Sequence, residues 1–499
     1  MLPLLNLWAE IKDLAAASAL LEWDQETYMP KGGQTGRGKV LATLAGFQHD
    51  KLSSTALRDA LDTADDSLLD CAEAHEAEVL RAQIREARKE IDRAIKVPKE
   101  LTVALAEAQS RGLAAWQKAR AESDFSLFET DLAELVRLNQ EKAAALNPGG
   151  RPYDALLDLY EAGSTEATLR PLFDELRGVL APMIRAVKES GHVIDESPAI
   201  GDFPEKAQRA FGLEVAQKMG FDFDSGRLDL TTHPFCTSFN HKDVRITWRY
   251  MQDDFRSALY GIMHEAGHGL YEQGLPSRFE RTPLGEAVGL GMHESQSRLW
   301  ENLVGRSRAF WEWCLPVFKK YFPDKAHITL DQLYPTLHTC KPSLIRVEAD
   351  EATYNLHVAA RFEIERRLFA GEIEVRDLPA VWDDTYEQLL GVKANSVSDG
   401  VLQDIHWAMG AFGYFPTYTQ GNLISSQLWE AMQNDIGDLD SLMRVGDLAP
   451  MRGWLGEKIH SQGKLYSGSE LVERATGKAL TAEPFIDSIT SVTAGIYGL

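Results

Sequence analysis

From the amino terminus to about Asn147 the sequence is dense in Ala, Leu, Glu, Lys and Arg, and its apolar residues recur at helical intervals, as in AEAHEAEVLRAQIREARKEIDRAI. Such a stretch buries its apolar face only by stacking long helices against one another. Turns are predicted where proline and paired glycines interrupt the pattern, at Met29-Pro30-Lys31-Gly32-Gly33 and at Asn147-Pro148-Gly149-Gly150. More helix follows, as far as a turn-rich stretch from Asp195 to Pro204. The opening run MLPLLNLWAEIKDLAAASALLEWDQE lacks a basic leader and is punctuated by Glu10, Asp13, Glu22 and Asp24, so an amphipathic helix is expected there rather than a secretory signal.

One segment breaks the helical period. Val244, Ile246, Trp248 and Tyr250 alternate with Arg245, Thr247 and Arg249, which is the spacing of a strand. Leu228 to Phe235 precedes it, and Asn240-His241-Lys242 can turn the chain between the two. A small antiparallel hairpin is predicted, with Pro234 forcing its strand toward an edge or an end. Beyond it Asp253 or Asp254 can cap a helix that buries Leu259, Ile262, Met263, Ala266 and Leu270, and Gly274-Leu275-Pro276 ends that helix. Helices dominate the remainder apart from a Gly- and aromatic-rich loop from Gly410 to Tyr418, so the fold class expected is mainly α.

His264-Glu265-Ala266-Gly267-His268 sits on the helix just described and matches H-E-x-x-H. Histidines four residues apart stand about 40° apart around a helix and one turn apart along it, so both imidazoles can reach one ion. Glu265 projects about 100° from His264, which lets its carboxylate approach an attacking water instead of serving as a ligand. The bland alternative is a pair of helix-face histidines satisfied by ordinary hydrogen bonds. A catalytic zinc takes three protein ligands and leaves a fourth position for water. The next helical segment, Gly291-Met292-His293-Glu294-Ser295-Gln296, offers a carboxylate and an imidazole, and on spacing either Glu294 or His293 can complete the set.

Charge bears on partners. With 75 acidic against 52 basic residues, a net charge of −23 and no stripe of Lys and Arg, the field repels phosphate backbones and anionic lipid, so neither nucleic acid nor membrane is expected as a partner. No apolar run approaches the roughly 18 residues of a membrane span. Cys71, Cys236, Cys314 and Cys340 are scattered without a CxxC pair and read as reduced thiols of a cytoplasmic protein.

His233-Pro234-Phe235, Asp243-Val244-Arg245-Ile246-Thr247, the HEAGH pentad, His293-Glu294-Ser295-Gln296, Ile345-Arg346-Val347-Glu348-Ala349-Asp350 and Gly400-Val401-Leu402-Gln403-Asp404-Ile405-His406-Trp407 follow one another along the chain. Type and order resemble the motif set of the carboxypeptidase Taq family of zinc metallocarboxypeptidases. Leu21-Glu22-Trp23-Asp24-Gln25-Glu26-Thr27 and the overall length resemble it too, and no motif position departs. The resemblance implies one Zn2+ per chain on His264, His268 and Glu294, with Co2+ as a substitute, and Glu265 as general base. His293 becomes a flanking residue that hydrogen-bonds near the site. It also implies a large helical fold with a deep groove, residues 1–220 forming its lid and wall and residues 221–499 bearing the zinc, in a single peptidase domain or two closely packed lobes. A homodimer is implied, as are peptide substrates with a free carboxyl end and broad specificity with terminal proline disfavoured.

H-E-x-x-H does not itself separate trimming an end from cutting inside a chain. A carboxypeptidase needs a partner for the terminal carboxylate, and the planar fork of arginine suits both oxygens. Arg346 is the first candidate, with Arg245 and Arg249 on the polar face of the proposed strand. His406, Tyr418 and His233 can donate hydrogen bonds to the carboxylate or to a developing oxyanion. An edge strand beside the zinc helix can pair with an extended peptide. The competing readings are a helical zinc oligopeptidase or endopeptidase, and a non-enzymatic peptide-binding protein with a structural or absent metal.

Overall fold

The computed structural model describes residues 1–67 and 74–499, so Cys71 lies outside the described residues. The first helix runs over Leu2–Thr27 and stops short of Pro30, and Ser126–Leu146 stops short of Pro148, as the turn signals predict. Between them lie Ala74–Lys96 and Lys99–Glu122. The long helix Glu166–Ser190 shows how local sequence sets the ends. Thr165 and Thr168 exchange side-chain and backbone hydrogen bonds in a capping box, and Gly191 takes the left-handed conformation (φ 67°) that terminates it.

The sheet differs from the predicted hairpin. The strand-like run before the turn is two strands, β1 (Gly226–Leu230) and β2 (Cys236–Asn240), and both pair with β3 (Asp243–Trp248) in the order β1-β3-β2. β2 is antiparallel to β3, with Cys236 opposite Ile246, whereas β1 is parallel to it, with Leu228 opposite Ile246. Pro234, which has no N–H to give a ladder, falls in the turn before β2 and divides the run. Val244, Ile246 and Trp248 are buried as the alternation predicts, but Tyr250 lies past the strand and is exposed. Thr247 ties the turn to the sheet: its hydroxyl donates to the Phe235 carbonyl (3.0 Å) and accepts from the Phe235 N–H (2.8 Å).

Two large apolar cores fill the molecule. One gathers Lys99–Glu122, Ser126–Leu146 and Glu166–Ser190 with Tyr354–Phe369, Leu378–Leu390 and the last helix, Glu483–Tyr497. The other gathers the sheet with Glu205–Met219, Phe255–Gly274 and Arg308–Tyr321. Pro416–Ile436 belongs to both, giving Leu423 to the first and Ile424, Leu428 and Met432 to the second.

A smaller cluster of Leu4, Trp8, Ile11, Leu57, Leu61, Ile84 and Ile91 closes on itself among the N-terminal helices. Its seam with the rest combines a small apolar patch, Ala82 against Phe279, Leu284 and Leu465, with polar contacts. Lys12 pairs with Glu286, Arg281 Nε with Asp13 (2.8 Å), the Tyr28 hydroxyl donates to Asp229, and the Arg245 guanidinium lies 4.2 Å from the ring centre of Trp23. Among the described residues no helix is long and apolar enough to cross a membrane.

Candidate metal centre and active site

Asp254 caps the helix Phe255–Gly274, its carboxylate accepting from the Arg256 N–H (2.8 Å), and Leu259, Ile262, Met263, Ala266 and Leu270 are all buried as predicted. That burial fixes the rotation of the helix and turns His264 and His268 together toward the next helix, Leu290–Arg298. The two helices cross closely at Gly267, where a Cβ would stand 2.7 Å from the Gln296 carbonyl. Glu294 is carried into the crossing. One of its oxygens lies 3.6 Å from His264 Nε2 and 3.4 Å from His268 Nε2, and the three donor atoms fall within 4.8 Å of one another. Two imidazole nitrogens and one carboxylate oxygen at that spacing suit a first-row divalent cation.

The outward nitrogen of each imidazole is already engaged. His264 Nδ1–H donates to Glu301 (2.8 Å), and Glu301 and Glu294 are both bound by Arg298, at 3.3 and 2.7 Å. His268 Nδ1 shares a 2.5 Å hydrogen bond with His293 Nδ1, whose Nε2–H donates to Glu272 (2.8 Å). These contacts select the tautomers that leave both Nε2 atoms free to bind an ion. His293 thus hydrogen-bonds both His268 and Glu272. Burial works against ionising Glu294, but Arg298 and the two imidazoles hold its carboxyl far below the usual range. Glu265 is 6% exposed and accepts no hydrogen bond among the described residues, and burial pushes its carboxyl up to about 7.

Arg346, His406 and Tyr418 come together at a second cluster. Arg346 is 5% exposed, with Nη2 bound to Asp404 (2.9 Å), Nη1 donating to the Tyr354 hydroxyl (3.0 Å) and its guanidinium 5.0 Å from the Tyr418 ring centre. Asp404 also accepts from Arg361 (2.7 Å), so two guanidiniums share one carboxylate and the cluster keeps a positive charge. His406 Nε2 meets the Tyr418 hydroxyl at 3.3 Å, and burial lowers its pKa to about 4, which leaves the imidazole neutral at pH 7. Tyr354 joins the clusters, because the guanidinium of Arg298, which binds Glu294, stands 4.6 Å from its ring centre.

Two other candidates lie elsewhere. Arg245 is paired with Asp243 (2.9 Å) and stacked on Trp23, and His233 is exposed in the turn before β2 without a hydrogen bond or ion pair among the described residues. Sequence reasoning missed Glu301, Arg298 and Glu272, although the signal was present. Positions 294, 298 and 301 share a helix face, as do 264, 268 and 272.

A family model described as carboxypeptidase Taq (M32) metallopeptidase matches residues 3–492. Thermostable carboxypeptidase 1 of Thermus thermophilus is 41% identical, covering 99% of this chain and 98% of the relative. Carboxypeptidase 1 of Bacillus subtilis is 36% identical, covering 99% and 97%. Among solved structures, the M32 carboxypeptidase of Deinococcus radiodurans superposes with a TM-score of 0.95 at 38% identity over 99% of both chains. Trypanosoma cruzi metallocarboxypeptidase 1 does so with a TM-score of 0.93 at 34% identity over 98% of both.

Proposed function

Because the chain belongs to the carboxypeptidase Taq (M32) metallopeptidases, and is a metallocarboxypeptidase, we propose that it removes residues from the free carboxyl end of peptides with Zn2+ held by His264, His268 and Glu294. The observation that supports this reading is the junction of two clusters through Arg298 and Tyr354: a donor set for a cation near a buried carboxyl, and a buried cluster with net positive charge around Arg346. Held by His264, His268 and Glu294, a zinc ion would supply Lewis acidity for the scissile carbonyl and for a water whose pKa it would lower toward roughly 7.

The chain's own residues do the rest. Glu265, with its carboxyl near 7, accepts the proton of the attacking water and returns it to the leaving amine as the C–N bond breaks. Arg346 provides charge for the terminal carboxylate, and Tyr418 and His406 provide hydrogen bonds to it or to the oxyanion. Arg245 and His233 are the further candidates for contact with the peptide, and both lie apart from the Arg346 cluster. Residues 1–220 act as lid and wall of the groove and residues 221–499 carry the zinc, in a cytoplasmic homodimer. Cleavage is broad in side chain with terminal proline disfavoured, and Co2+ substitutes for zinc.

Mass spectrometry of matched free-ended and amidated peptides, with and without chelator, tests this. Stepwise loss from the free end alone, abolished by chelator and restored by zinc or cobalt, is the expected result. Equal cleavage of the amidated peptide would make the enzyme an endopeptidase.

A further inference from the structure

Glu161 is a buried carboxylate that the mechanism does not use. It follows the helix Pro152–Tyr160 in the N-terminal part of the chain, is 6% exposed, and has no cation within ion-pair distance among the described residues. Its one side-chain hydrogen bond among the described residues comes from the Gly291 N–H (2.7 Å), in the first turn of Leu290–Arg298. Three glycines make room for it. A Cβ at Gly289 would stand 2.6 Å from either carboxylate oxygen and one at Gly291 2.9 Å away, and a Cβ at Gly468 would collide with it as well. Gly468 opens the helix Gly468–Thr476, so the carboxylate lies between the N-termini of two helices, where unpaired N–H groups favour negative charge. Burial still pushes Glu161 up to about 7. A carboxyl group is kept in an expensive place, in a socket lined by three glycines whose missing side chains leave it room.

The socket belongs to the helix that carries Glu294 one turn later. We propose that Glu161 is a positioning residue for Glu294, pinning the start of Leu290–Arg298 so that the Glu294 carboxylate meets His264 and His268. The inference rests on the metal site proposed above. Glu161 touches neither substrate nor ion, and acts through the placement of the helix.

Zinc affinity measured by chelator competition on the full-length metal-free chain, together with its melting temperature, tests this. Glu161→Ala and Glu161→Asp, which withdraw the acceptor, should raise the zinc dissociation constant about tenfold or more, as loss of an outer support does. Glu161→Gln keeps the acceptor oxygen and loses only the charge at the helix start, so it should stay within about threefold of the parent. Where Glu161→Ala does not fold, the Asp and Gln variants decide. Variants that melt lower yet bind zinc like the parent would reduce Glu161 to a structural residue and overturn the proposal. Glu294→Ala is the control. If it too binds zinc like the parent, the metal-site reading falls and this one with it, whereas if Glu294→Ala alone loses zinc, only the role of Glu161 falls.

Discussion

Among the described residues Glu265 reaches no hydrogen-bond donor, so exchanging it for Gln removes an acid without stranding a partner. Glu265→Gln should therefore bind zinc as the parent does while turnover falls about 10²- to 10⁴-fold, the usual worth of a general base. Stopped assays on metal-replete protein measure this, and near-parental turnover would assign the proton to another group. Arg346 separates differently. Arg346→Ala should cost free-ended peptides most of kcat/KM while leaving zinc affinity unchanged, because Arg361 still neutralises Asp404. The pentad was legible because H-E-x-x-H encodes its geometry in helical spacing, and the burial of Leu259 and Ile262 follows from the same period. Glu301 and Glu272 escaped notice because an acid on a helix face reads as a solvated charge until the histidine behind it is seen.

At the scale of elements, the strand β3 and the helix Phe255–Gly274 stand where periodicity puts them, but the pairing of β1 does not. A five-residue strand parallel to its neighbour is joined to it by chain that leaves and returns, and nothing local records the direction of return. The antiparallel partner is different, since a short turn commits β2 to β3. Thr247 then fixes the turn that holds His233 and Pro234, through two hydrogen bonds to Phe235 from a fully buried hydroxyl. Thr247→Val keeps the shape and strands the Phe235 N–H, so chemical denaturation should report a loss of about 1–3 kcal/mol. An unchanged midpoint would show that the turn is held by its neighbours.

Across the whole molecule, Glu365 binds distant segments together. From the helix Tyr354–Phe369 it accepts from Tyr153 (2.9 Å), from the Trp407 indole (2.7 Å) and from the Gly413 N–H (2.9 Å). Burial pushes its carboxyl from 4.5 up to about 7. The folded chain therefore holds this proton where the unfolded chain has lost it, and the stability that Glu365 contributes is full below about 4.5 and declines as pH rises toward 7. The stability of the parent relative to Glu365→Gln should decline over that window, by up to about 3 kcal/mol, and level off above it. A difference independent of pH would mean that the carboxyl ionises alike in both states.

The N-terminal helices bear on another property at this scale. Most of their apolar side chains pack among themselves, apart from Ala82 against Phe279, Leu284 and Leu465, and Lys12, Asp13, Trp23 and Tyr28 face the rest of the chain mainly through charges, hydroxyls and a guanidinium–ring contact. Such a boundary resembles the contact between two transient partners, and it can part without wetting either large core. Salt weakens it while leaving apolar packing in place. Amide exchange in Leu2–Thr27 should accelerate with ionic strength while Tyr354–Phe369 stays protected, so dissolved ions would set how often the first helix leaves the body of the molecule.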